Sequence, residues 1–233
     1  MLKFIIACFL IVIALEANND EALKAFKEKD YATAFKLYEK SALAGDAKAQ
    51  SALSYLYANG LGTKKDQTKS IEWLDKSASS GNDIAQYDLG MFYLNGQGVV
   101  KDQKKAFELL ESSSKLNNAD AQYSLALMYY NGNGADLNVS KSAELLESAA
   151  IGGHKVAQQN IGRVYMQLLA FDKAAEWFEK VAANGDESAY YALAEIYSQL
   201  EKFKEAKIWA NKAIKSGNKE AELLYKKYEL DKY

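Results

Sequence analysis

The sequence predicts an all-α fold, a solenoid of about six helix pairs closed by a C-terminal capping helix. Three observations predict it. The stretch NGLG at 59–62 returns as NGQG at 95–98 and NGNG at 131–134, each 36 residues after the last. Small, aliphatic and aromatic residues recur around those loops in fixed columns at helical spacing. Proline is absent from all 233 residues. That suits long runs of helix, where a proline costs about 3 kcal/mol.

The chain opens on MLKFIIACFLIVIALEA: one lysine, an apolar run from Phe4 to Leu15, and a small residue at Ala17. The run is too short to cross a bilayer, which takes about 20 residues. The layout is that of a secretory signal peptide over 1–17, cleaved near Ala17, and it predicts a periplasmic or secreted protein. Cys8 lies inside the run with seven residues before it. That is too few for the apolar core of a lipoprotein signal, so no lipid anchor through Cys8 is expected. From Asn18 onward the chain has no cysteine. An exported chain of this kind holds together by packing, without disulfides.

From Asn18 the expectation is one repeat domain, 18–233. Its units run over about 19–46, 47–82, 83–118, 119–154, 155–186 and 187–218, with a cap over 219–233. In the first helix of successive pairs stand Ala49, Ala85, Ala121, Ala157 and Ala189. Four places on stand Leu53, Leu89, Leu125, Ile161 and Leu193, and four further on Tyr57, Tyr93, Tyr129, Tyr165 and Tyr197. Spacing of four sets the three columns on one helical stripe. The second helix carries a small column (Ala34, Ser70, Ala106, Ser142, Ala174, Ala206) and a large one (Leu37, Trp73, Leu109, Leu145, Trp177, Trp209). Large groups set against small ones let neighbouring helices interlock.

Units close on Gly45, Gly81, Gly153, Gly185 and Gly217, with Asn117 in the third. These residue types tolerate the left-handed end of a helix. Asp46, Asn82, Asn118, Asp186 and Asn218 follow and are suited to N-cap the next helix, with His154 in the same column. The final helix, KEAELLYKKYELDKY, is more charged, as a solenoid's end must be. The NGxG loops are turns between the helices of a pair. A phosphate cradle needs a strand before the loop and a G-K-[ST] or a full GxGxxG, and no copy has either.

Few residues offer chemistry. Net charge is −2 with no basic excess, so nucleic acid is not expected as a partner. The chain's one histidine and lack of cysteine after Asn18 leave no ligand cluster, so neither metal nor cofactor is expected. S-x-x-K occurs at Ser112–Lys115 and Ser216–Lys219, as often as serine and lysine content alone predicts, and K-T-G is absent. Asn138-Val139-Ser140 is the chain's one N-x-[ST] sequence, with Asp136 two places before Asn138. Asn138 is therefore a glycosylation candidate, and it also aligns with Asp66 and Asp102 in an N-cap column.

The pattern A-x-x-x-L-G-x-x-Y-x-x-G-x-G, followed by an acidic cap, K-A and a small pair before glycine, resembles the Sel-like repeat family. That family is a longer-looped relative of the tetratricopeptide repeat. The likeness is close over 47–82, 83–118 and 119–154, while the opening pair, 155–186 and 187–218 look more like plain tetratricopeptide repeats. The resemblance implies a right-handed α-solenoid that binds proteins or peptides: a non-catalytic scaffold, here of the bacterial cell envelope. Some exported relatives bind or slowly hydrolyse β-lactams, so a β-lactam-binding protein or weak β-lactamase is the alternative. Those relatives carry a cysteine pair in each repeat, and this sequence has none.

In each first helix, repeat positions 2, 5, 9 and 12 lie off the Ala–Leu–Tyr stripe. In tetratricopeptide-like arrays that face lines a concave groove. The expected groove residues are Ile84, Tyr87, Met91 and Leu94, then Tyr123, Leu127 and Tyr130, then Arg163 and Met166. Apolar anchors with one arginine fit a peptide that carries a carboxylate.

Overall fold

The computed structural model describes residues 18–233. The expected signal segment 1–17 and Cys8 lie outside the described residues. Among the described residues there are thirteen α-helices and no strand. The first, α1, covers 18–27. Then come α2 Tyr31–Leu43, α3 Ala47–Asn59, α4 Gln67–Ser79, α5 Asp83–Asn95, α6 Gln103–Lys115 and α7 Ala119–Asn131. The second half holds α8 Val139–Ile151, α9 Lys155–Gln167, α10 Phe171–Ala183, α11 Ser188–Gln199, α12 Phe203–Lys215 and α13 Lys219–Lys227, with a 3-10 turn at Leu230–Lys232. The fold is all-α, a solenoid of helix pairs, as the sequence predicts.

Two compact units divide it, one ending at Ala121 and one running over Gln122–Tyr233. In the first, consecutive helices pack on one another from α2 through α6. In the second the same holds from α8 through α12, and α13 closes against α11 and α12.

The punctuation read from sequence is what starts and stops the helices. The side chains of Asp46, Asn82, Asn118 and Asn218 each accept the amide three residues on, at 2.7–3.0 Å. His154 does the same work with Nδ1, which accepts the Ala157 amide at 3.1 Å. Asp186 caps differently, accepting from Ser188 two residues on. Asn138 takes its N-cap place beside Asp66 and Asp102 and accepts the Lys141 amide at 2.9 Å. Each cap satisfies a donor that the helix start leaves open, worth about 1 kcal/mol. The NGxG loops are turns: Gly60 and Gly96 end α3 and α5 in the left-handed conformation.

Packing follows the first-helix columns. The alanine column is fully buried at Ala49, Ala85, Ala121, Ala157 and Ala189, and the aliphatic column is at most 2% exposed. A glutamine just after the alanine ties each repeat to the one before. Gln50, Gln86 and Gln158 donate to the carbonyls of Ala42, Ala78 and Ala150. These bonds recur because the period recurs.

One column sits differently from the expectation. The large residues of the second helix are mostly half-buried, and the deeper position is the next one along at Tyr38, Leu74, Leu110 and Leu146, while Trp177 and Phe178 are both buried. The Trp column borders solvent. There Lys76, Lys180 and Lys212 lie 3.9–4.0 Å from the ring centroids of Trp73, Trp177 and Trp209. A lysine three residues on covers each ring with its stem and ammonium.

In the second unit Glu147 joins two repeats. It accepts from the Tyr165 hydroxyl at 2.7 Å and from Trp177 Nε1 at 3.3 Å, with Lys173 at 3.7 Å. Burial pushes its pKa up, but the two hydrogen bonds and the Lys173 charge outweigh that and hold it below the usual 4.5. Burial, then the Glu147 carboxylate, pushes the Tyr165 hydroxyl up. Glu147→Gln should cost about 1 kcal/mol at neutral pH, the low end for charged hydrogen bonds, because the side chain is 32% exposed. A depressed carboxyl contributes stability above its unfolded pKa and loses it as pH falls through its folded pKa. The gap between wild type and variant in urea melts should therefore close below about pH 4.

Candidate functional site

Each unit contains a cavity built the same way. First helices form its walls and second helices form its floor. In the first unit a cavity of about 580 Å³ runs along α1, α3 and α5, over Tyr38 of α2 and Ser70 and Leu74 of α4. In the second unit one of about 230 Å³ lies between α7 and α9, over Ser142 and Leu146 of α8.

The walls show how the groove expectation must be amended. The earlier helix of each pair presents repeat positions 5, 9 and 12: Ser51, Tyr55 and Ala58, or Tyr123, Leu127 and Tyr130. The later helix presents a different edge. That edge is Ile84, Asp88 and Phe92 in one cavity, and Asn160, Arg163, Val164 and Gln167 in the other. A helix in an array has a neighbour on each side, so positions 5, 9 and 12 of α3 and α7 face the next repeat, while positions 6 and 10 of α5 and α9 face the previous one and Arg163, at position 9, reaches the same cavity from α9.

The structure therefore gathers Tyr123, Leu127, Tyr130 and Arg163 into one site. It does not bring Met166 there: that side chain, half-buried against the core of the second unit, does not line the cavity. Ile84 lines the first-unit cavity, while Tyr87, Met91 and Leu94 sit half-buried on the neighbouring stripe of α5 and do not line it. Asn138 is exposed at the start of α8, and its Nδ2, the atom a glycan would occupy, takes no part in the cap bond.

Three polar features mark the second-unit cavity. Arg163 is exposed and makes no hydrogen bond or ion pair among the described residues. Asp186 is held below the usual carboxylate range chiefly by hydrogen bonds from Ser188, and the Arg163 charge adds to that. Ser142 is fully buried and its hydroxyl has no partner. The periodicity explains the orphan: in the first unit the equivalent Ser70 pairs with Ser54 at 3.2 Å, but Ala126 occupies the place of Ser54 here. The Tyr130 hydroxyl lies within 3.2 Å of the Gln167 amide, fixing the outer wall. Tyr123 stacks on His154, ring centroids 4.2 Å apart. An unpaired guanidinium fork on the wall of an apolar cavity is a donor set for a carboxylate.

Ser142, Asn160 and Gln167 were not legible as site residues. The one available signal was Ser142 standing in the small column without the serine that Ser70 has opposite. The S-x-x-K serine Ser112 is engaged locally: its hydroxyl donates to the Glu108 carbonyl, and Lys115 pairs with Glu111. Among the described residues no group of three His, Asp, Glu or Cys could hold a metal, and no helix is long and apolar enough to cross a membrane.

No curated protein sequence matches the chain. Among solved structures it is similar to a Sel1 repeat protein from Oxalobacter formigenes, with 26% identity and TM-score 0.66. That match covers 88% of this chain and 84% of the other. It is also similar to a protective antigen of uropathogenic Escherichia coli that displays an SLR fold, with 27% identity and TM-score 0.71 over 89% of this chain. The chain spans 47% of that antigen's length. Sel1 repeats match at 25–46, 47–82, 83–118, 119–154, 170–186 and 187–218. They thus reach the opening pair and the last two units, which look like plain tetratricopeptide repeats in sequence. With those matches over most of its length, the chain belongs to the Sel1 repeat family, whose members are in general protein-interaction scaffolds.

Proposed function

We propose that this protein is a non-catalytic scaffold of the bacterial cell envelope, exported by residues 1–17, and that its second unit holds an acidic segment of a partner protein. The observation that carries the reading is the cavity that an unpaired Arg163 lines together with the apolar side chains of Leu127 and Tyr123. A partner aspartate, glutamate or C-terminal carboxylate takes the guanidinium in a bidentate pair, and an adjoining apolar side chain fills the space beside it. Binding of this kind asks nothing of a nucleophile or metal.

The experiment is crosslinked capture from the envelope fraction, with the recovered protein sequenced from its N-terminus. The expected sequence begins near Asn18. Arg163→Ala should weaken capture at least about tenfold, and Arg163→Lys should restore it only in part, because an ammonium keeps the charge but loses the fork. Helical circular dichroism should be unchanged in both. Equal capture by the alanine variant rejects the Arg163 pairing, and recovery of the protein only from the cytosol with Met1 intact rejects the envelope assignment.

A further inference from the structure

The larger cavity carries a charge of the opposite sign. Asp88 stands on the α5 edge of the first-unit cavity, half-buried, and its carboxylate makes no hydrogen bond or ion pair among the described residues. The lining is mostly apolar, with Phe26, Leu56, Leu74 and Phe92 in it, and its other polar groups include Ser51, Ser54 and Ser70. Burial, and then the charge of Asp120, push its pKa above the usual 3.8. Tyr38, on the floor, is 8% exposed and its hydroxyl also has no partner among the described residues. Lys48 lines the rim but is exposed and makes no ion pair with Asp88.

An unpaired carboxylate among apolar groups is costly in an empty site. It is also a departure from the repeat. The same position holds Ala52, Ser124, Asn160 and Ala192 in the other units, so helix packing does not ask for an acid there. The cavity, about 580 Å³, is within the range of ligand sites, about 300–1,000 Å³.

We infer that this cavity binds a lysine side chain of a peptide partner, with the ammonium on Asp88 and the stem against the apolar walls. A lysine suits both parts of the site, because its four-carbon stem is apolar and its ammonium can donate to the Asp88 carboxylate. The phenyl and phenol rings of Phe26, Phe92 and Tyr55 add faces that attract a cation. The inference rests on the reading of the protein as a peptide-binding scaffold, and it adds the chemistry of a second anchor, in the other unit.

The test titrates the full exported chain with acetyl-Leu-Lys-Leu-amide, and with the same peptide carrying norleucine or glutamate at the centre. The lysine peptide should bind at least about tenfold more tightly than either. Asp88→Asn, nearly isosteric, should remove that preference while leaving norleucine binding unchanged, so that the two losses do not add. In the unmutated protein the Asp88 carboxyl carbon resonance should titrate at lower pH once the lysine peptide is present, and not with norleucine. That measurement stands even if the variant misfolds. Equal binding of lysine and norleucine peptides, an unmoved Asp88 titration, or a preference that survives Asp88→Asn each overturns the inference. Loss of Arg163-dependent capture leaves these outcomes untouched, so the two anchors fail separately.

Discussion

Gly62→Ala is expected to destabilise the first unit by about 2–5 kcal/mol. Gly62 is the second glycine of the first NGxG loop and has φ +69°. An L-residue there costs about 1–2 kcal/mol in backbone strain alone. The added Cβ would also lie 2.0 Å from the Tyr31 carbonyl oxygen, at the start of α2. That oxygen is backbone, so the loop or the helix must shift, and forced overpacking costs about another 1–3 kcal/mol. Gly45→Ala is the control. Its φ is +95°, but nothing lies within 4 Å of the new atom, so it should show backbone strain without the clash. Urea melts followed at 222 nm measure both. Coinciding midpoints for the two variants would mean that the loop yields freely, and that the contact between Gly62 and α2 does not constrain the fold.

The second large effect separates core from groove on one helix. Leu125 is 2% exposed and Leu127 is 39% exposed, two residues apart on α7. Leu125→Ala should cost about 3–5 kcal/mol, the range for a buried leucine whose site cannot collapse. Leu127→Ala should change stability by no more than about 0.5 kcal/mol, as for other surface positions. It should still weaken capture of the acidic partner, since Leu127 walls the cavity next to Arg163. Reversed costs, with Leu127 the more destabilising, would make the cavity wall part of the core and remove its role as a binding surface. Tyr123 serves this comparison less well, because its stacking on His154 gives it a structural role as well.

The sequence by itself determined the repeat, its punctuation and its buried stripe. Those features are local. An Asp or Asn at an N-cap bonds an amide three residues on, and a glycine at a helix end takes a positive φ. Residues four apart share a face whatever lies beyond it. The columns Ala49 to Ala189 and Leu53 to Leu193 are buried because each helix repeats the same face, so one period fixes them all. The tertiary structure alone decided which residues meet across helices. Periodicity names a residue's neighbours along its own helix, but it does not say which edge faces the previous repeat and which the next. That is why Tyr123, Leu127, Tyr130 and Arg163 could be read as groove residues while Met166, from the same set of positions, lies half-buried outside the cavity. It is also why Asp88 and Ser142 looked ordinary in sequence. Their chemistry comes from what stands opposite: mostly apolar walls and no ion-pair partner for Asp88, and an alanine in place of a serine for Ser142.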